Sequence, residues 1–257
     1  MKVVILAGGL PSIIGEENDK IPKPMVTVGE RPLLWHIMKL FSHYGYNEFI
    51  ICAGFRSDTI KDYFMNYYAF QSDITVHLLT NEVEIHNHVT EPWQVSVIDT
   101  GLHATTAQRL HSIRNMVDGE CVVVYGDCIS DVAVPELVKS HHRSKMLMTA
   151  VLARPTGRNR ILPMDAEGRL VAAEEGADVT DAWANACMMV VEPKVLWENP
   201  KGADRFEVEV MNDLASRGAV NVYRHNGFWM PVETVRDRDY MQELWNSGNV
   251  PWRVWED

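Results

Sequence analysis

The sequence predicts an α/β fold: a mixed, mostly parallel central sheet flanked by helices, with small β insertions. Two patterns lead there. Over the first 130 residues, short apolar runs alternate with segments of helical periodicity, as in successive βαβ units. Some runs, such as Val122 to Val124, are apolar at every position, as a strand buried on both faces must be. Beyond residue 145 the pattern turns to strands, so the second half is expected to add mixed strands to the sheet. No repeat or low-complexity linker interrupts the chain, and residues 1–257 are read as a single domain.

Val3 to Leu6 reads as the first strand. Leu33 to Tyr44 carries apolar residues at helical spacing (Leu33, Ile37, Leu40, Phe41, Tyr44), and Glu48 to Cys52 is a strand again. Thr59 to Tyr68 is expected to be helical, Ile74 to Leu79 extended, and Thr106 to Met116 helical before the strand Cys121 to Tyr125. Strands follow at Met146 to Leu152, Arg169 to Ala172 and Cys187 to Val191, then a helix at Val208 to Arg217 and a strand at Val220 to Tyr223. Residues 225–257 form an aromatic-rich C-terminal segment. In a fold of this kind the ligand site is expected at the carboxyl ends of the strands, here the turns after Val3 to Leu6 and after Val122 to Val124.

Composition excludes several classes. At 46% hydrophobic, 257 residues can bury a full core. No apolar run approaches the roughly 20 residues that span a bilayer. Met1 to Leu6 runs straight into Gly8 and Gly9 without a cleavage-site pattern, so it reads as a buried strand, and a cytoplasmic protein is expected. The net charge of −11 argues against nucleic acid, although a small anionic ligand needs only a few local cations. Cys52, Cys121, Cys128 and Cys187 form no Cys-x-x-Cys pair and read as small core residues rather than a zinc site.

The first strand ends in Leu6-Ala7-Gly8-Gly9, where paired glycines let the backbone approach a base or phosphate. No G-x-G-x-x-G follows, which disfavours a dinucleotide fold. Ile21-Pro22-Lys23-Pro24-Met25 is a rigid turn presenting one lysine. Leu6 to Gly9 followed by Pro22-Lys23-Pro24-Met25 resembles the signature of the sugar-1-phosphate nucleotidyltransferases. Trp35-His36-Ile37-Met38-Lys39, Glu91-Pro92-Trp93 leading into Asp99-Thr100-Gly101, and Gly227-Phe228-Trp229 through Pro251-Trp252 look like its glucose-1-phosphate cytidylyltransferase branch.

This resemblance implies a Rossmann-like, GT-A-like nucleotidyltransferase fold. It also implies a reaction in which a sugar-1-phosphate oxygen attacks the α-phosphorus of a nucleoside triphosphate, releasing pyrophosphate, with Mg²⁺ as cofactor. By the same resemblance Leu6, Ala7, Gly8, Gly9, Lys23, Arg109 and Gly126 would bind the nucleotide, with Lys23 and Asp127 catalytic. Asp127 and Glu233 would hold the metal, and Glu175 and Asn185 the sugar. Plainer roles stand beside these: Asp127 as a helix cap, Arg109 as a surface helix residue, Asn185 as a turn former. Tyr67 to Trp93 reads as an insertion whose exposed strand edge, together with Glu84-Ile85-His86-Asn87-His88, predicts a subunit contact and a homo-oligomer.

The phosphate-handling residues depart from the pattern. The family arginine and lysine positions are Ile13 and Gly176 here, and Pro11 removes a loop N–H donor. A positioned arginine in phosphoryl transfer is worth about 10³-fold or more in rate, so altered or reduced activity is expected. Arg158, Arg160 or Lys20 are the candidate substitutes. Two other readings remain open: a catalytically silent nucleotide- or sugar-binding protein with a regulatory or assembly role, and different chemistry with Asp127, Glu174, Glu175 or Glu233 as acid or base.

Overall fold

A segment such as Val3-Val4-Ile5-Leu6-Ala7, which has no polar side chain, is stable only where both of its faces are covered. It is an interior strand of the sheet in a computed structural model of the chain, which describes residues 1–9, 21–86, 90–154, 183–197 and 205–256. In chain order the elements begin with β1 (Lys2–Ala7), β2 (Thr27–Val28), β3 (Arg31–Pro32), α1 (Leu33–His43) and β4 (Glu48–Ala53). Next come α2 (Ser57–Met65), α3 (Tyr67–Phe70), β5 (Asp73–His77), β6 (Glu82–His86), β7 (Gln94–Asp99) and α4 (Thr106–Ser112). Then follow β8 (Cys121–Tyr125), β9 (Cys128–Ser130), α5 (Val134–Ser144), β10 (Met148–Ala153), β11 (Ala184–Val191) and α6 (Pro193–Trp197). The chain continues with α7 (Met211–Ser216), β12 (Val220–His225), β13 (Trp229–Pro231) and α8 (Val235–Asn246).

Among the described residues seven strands form the main sheet in the order β12-β10-β11-β8-β1-β4-β7. Only β11 runs against its neighbours; every other pairing is parallel. The expected mixed, mostly parallel sheet is the observed one. Alternate residues of β1 face opposite layers: Val3, Ile5 and Ala7 join α1, Ile60 of α2 and Leu137 of α5, whereas Val4 and Leu6 join Leu110 of α4, Leu196 of α6 and Leu214 of α7. No helix among the described residues is long and apolar enough to cross a membrane.

Several boundaries differ from the sequence reading. The helix expected over Thr59 to Tyr68 breaks at Asn66, whose side-chain Nδ2 donates to the Asp62 carbonyl. The strand expected to reach Leu79 stops at His77, where His77 O accepts from the Thr80 and Asn81 N–H groups in a tight turn. The helix from Thr106 loosens after Ser112 into a short 3₁₀ turn at Arg114–Met116, and the one from Val208 opens as a π-helix at Phe206–Val210. The strand expected at Arg169 to Ala172 lies outside the described residues.

The aromatic C-terminal segment packs back onto α1. His36 is buried among Trp35, Trp245, Trp252 and Trp255. Its Nε2–H donates to the Val28 carbonyl at 2.9 Å, and its Nδ1 accepts from Trp252 Nε1–H at 3.3 Å, so the partners select the neutral ring. Burial pushes its pKa down from 6.5 to about 4. The unfolded chain therefore takes up this proton first as pH falls. The contribution is complete above pH 6.5 and is lost as pH drops through about 4, a total of about 3 kcal/mol. Urea unfolding at stepped pH is expected to show that decline, and a His36→Gln variant, less stable throughout, is expected to lack it. Equal slopes for the two proteins would contradict the assignment.

Candidate active site

The parallel register brings three strand ends level: Ala7 pairs with Ala53 of β4, and Leu6 pairs with both Cys52 and Tyr125 of β8. The chain leaves the sheet at these ends, and a cleft of about 360 Å³ opens there. Leu6, Ala7, Gly8, Gly9, Lys23, Arg109 and Asp127 all line it. Gly126 lies just beneath, its N–H donating to the Leu6 carbonyl at 2.9 Å. A Cβ on Gly126 would stand 2.7 Å from Pro24 Cγ, so only glycine lets the Pro22–Pro24 turn close against the end of β8. That close approach puts Lys23 beside Asp127.

Arg109 reaches the cleft from α4, whose first turn is fixed by a capping box between Thr105 and Gln108. It is only 5% exposed, so it is not a surface helix residue. Its guanidinium donates to five protein acceptors. Nη1 bonds Thr100 Oγ1 at 2.6 Å, the Gly101 carbonyl at 2.8 Å and the Ala53 carbonyl at 3.2 Å. Nη2 bonds the carbonyls of Gly8 and Leu102. One side chain thus ties the ends of β1, β4 and β7 together. Gly8 makes room for it: a Cβ there would stand 2.1 Å from Nη1.

Lys23 Nζ lies 3.3 Å from Asp127 Oδ2, and both side chains are partly exposed to the cleft. Asp127 is held from behind, because its carbonyl accepts from the Val232 N–H at 2.8 Å. This bond continues the pairing of β9 with β13 and brings Glu233, one residue further on, to the neighbouring strand end. Glu233 is exposed, and its N–H donates to Asp237 Oδ2. Two carboxylates on adjoining strand ends, one facing the cleft, are a donor set that suits Mg²⁺, a hard cation that takes one or two carboxylates plus phosphate oxygens.

The nucleotidyl transferase family model matches residues 2–160. Glucose-1-phosphate cytidylyltransferases from Salmonella typhi and Salmonella typhimurium are each 38% identical to this chain over 260 residues, covering 100% of both partners. The chain belongs to the sugar-1-phosphate nucleotidyltransferase family. A crystal structure of HddC from Yersinia pseudotuberculosis complexed with GMP-PN shares the fold, with a TM-score of 0.66 and 16% identity, over 95% of this chain and 99% of that one.

Of the remaining expected site residues in this family member, Asn185 is described and does not line the cleft. Asn185 sits at the start of β11, where its Oδ1 accepts from the Cys187 N–H at 3.0 Å and supports a left-handed Cys187 with φ +59. That is the turn-forming role weighed beside sugar binding. Glu175, Ile13 and Gly176 lie outside the described residues, as do Pro11, Lys20, Arg158, Arg160 and Glu174. The structure adds cleft residues that sequence reasoning missed: Pro24, His103, Ala104, Thr105, Thr106 and Tyr125. Tyr125 donates to Glu207 from the π-helical segment, and burial beside that carboxylate raises its pKa. The Thr105-x-x-Gln108 pattern, which forms a capping box at the start of α4, is a local signal that could have marked the 103–106 turn.

Proposed function

We propose that the chain transfers a nucleotidyl group from a nucleoside triphosphate to a sugar-1-phosphate with release of pyrophosphate, and that CTP and glucose-1-phosphate are its substrates. The observation that carries this reading is the gathering of Leu6 to Gly9, Lys23, Arg109 and Asp127 around one cleft in a chain alike over its full length to glucose-1-phosphate cytidylyltransferases. The main chain of Leu6 to Gly9 meets the base, and Arg109 holds that loop in shape. Lys23 leaves Asp127 for the phosphates when the nucleotide arrives, which frees the carboxylate. When bound, Mg²⁺ on Asp127 and Glu233 supplies neutralising charge at the phosphate oxygens. By the family resemblance, Asn185 and Glu175 would be the residues that meet the sugar hydroxyls.

We further propose that the transfer is slow. Ile13 and Gly176 remove two cations, at about 10³-fold or more for each well-placed one. A silent, ligand-binding role has one observation in its favour: Lys23 and Arg109, the lysine and arginine that line the cleft among the described residues, are both engaged by protein groups. Titration with CTP in the presence and absence of Mg²⁺, followed by a pyrophosphate assay with glucose-1-phosphate, separates the two. Binding with turnover supports the transferase, and binding without any turnover supports the silent role.

We read residues 1–257 as one domain carrying an insertion at 67–93 that makes a homo-oligomer. The β5–β6 hairpin exposes Ile74, Val76, Val83 and Ile85, and its turn projects Leu78 and Leu79, which are 90% and 99% exposed. An apolar hairpin of this kind is normally covered. Light scattering at micromolar concentration is expected to give an oligomer, and a Leu78→Asp, Leu79→Asp double variant a smaller species. A monomeric parent protein would contradict the assignment.

A further inference from the structure

The end of the sheet remote from the cleft carries a cluster of carboxylate and imidazole groups that the proposed reaction does not use. Glu120 precedes β8, Glu192 follows β11, and Cys121 pairs with Val191 across those strands, which sets the two glutamates side by side. His141, on the buried face of α5, comes down between them. One donor atom from each of Glu120, His141 and Glu192 lies within 4.8 Å of the other two. Bonds of about 2.0 to 2.2 Å to a common ion need only a small closing movement from that spacing.

His141 supplies the second, independent observation. It is 1% exposed, and its Nε2 is buried without a hydrogen-bond partner, 3.5 Å from Glu192 Oε1. Its Nδ1 is 2.9 Å from Thr149 Oγ1, which also accepts from Asn221 Nδ2 at 3.2 Å. In the tautomer with Nδ1–H donating to that hydroxyl, the Nε2 lone pair is left free beside the two carboxylates to ligate a cation. His142 Nε2 holds the Glu120 oxygens from outside at 2.7 and 2.8 Å.

We propose that Glu120, His141 and Glu192 bind one divalent transition-metal ion of the Zn²⁺ class and so tie α5 to the β8 and β11 ends of the sheet. An imidazole with two carboxylates favours Zn²⁺ over Mg²⁺, and three protein ligands leave a fourth position for water. Thr149 is a positioning residue that aims the ring. The site is distinct from Asp127 and Glu233 and does not depend on the nucleotidyl-transfer reading.

The test is calorimetric titration of the chelator-stripped full chain with ZnCl₂ in excess MgCl₂. One Zn²⁺ per chain is expected, weakened at least about 10-fold by E120Q and by E192Q, about 10-fold by T149V, and unchanged by D127N. Co²⁺ in place of Zn²⁺ is expected to give visible bands that E192Q abolishes. Circular dichroism checks the fold of each variant, and the half-exposed Glu192 keeps the test usable if E120Q fails to fold. Absence of zinc uptake, or uptake indifferent to both glutamate variants, would overturn the proposal.

Discussion

Replacing Arg109 with methionine is expected to cost about 3 to 5 kcal/mol of stability and to remove nucleotide binding. Methionine fills similar space but donates nothing, so the carbonyls of Gly8, Ala53, Gly101 and Leu102 and the Thr100 hydroxyl lose their shared donor. Some of these acceptors would find water near the cleft mouth, which keeps the cost below the sum of five charged hydrogen bonds. For a chain of this size each kcal/mol moves Tm by roughly 2 to 4 °C, so a drop of about 10 °C is expected in calorimetry. Gly8→Ala attacks the same contact from the other side, since its Cβ would stand 2.1 Å from Nη1. Losses under about 1 kcal/mol in both variants would mean that Arg109 does not brace the strand ends.

Asp127→Asn is expected to leave the fold intact and to abolish Mg²⁺-dependent nucleotide binding, lowering any turnover by about 10²- to 10³-fold or more. The carbonyl of residue 127 still accepts from Val232, so β9 and β13 stay paired, while the side chain loses the charge that holds Lys23 and suits a hard cation. The variant's thermal midpoint without ligand is expected to stay close to the parent's, because the Lys23–Asp127 pair is partly solvated and contributes little to stability. Unchanged Mg²⁺-dependent binding in Asp127→Asn would move the metal site elsewhere.

Where one side-chain property decided an element, the chain announced it. Val3 to Ala7 and Cys121 to Val124 are apolar throughout and became buried parallel strands. β7 was missed because it is an edge strand in which Gln94, Ser96 and Asp99 dilute the apolar signal. α5 and α8 were missed because their apolar faces are thin. Their end signals were nonetheless present, as Pro135 and Glu136 in the first turn of α5 and as the Thr234–Asp237 capping box of α8. At the cleft, Leu6 to Gly9, Lys23 and Asp127 were legible as motifs. The engagement of Arg109 by five acceptors was not, because its bond to Gly8 spans 101 residues and no local pattern encodes it.

A thermal-shift and calorimetric titration of the parent protein with CTP, with and without Mg²⁺, asks directly whether the cleft takes a nucleotide. At about 100 times the dissociation constant, binding to the folded chain adds about 2.7 kcal/mol of stability. The expected result is stabilisation by CTP that requires Mg²⁺ and disappears in Asp127→Asn. No stabilisation by CTP or by any other nucleoside triphosphate, in either condition, would contradict a nucleotide site at the ends of β1 and β8.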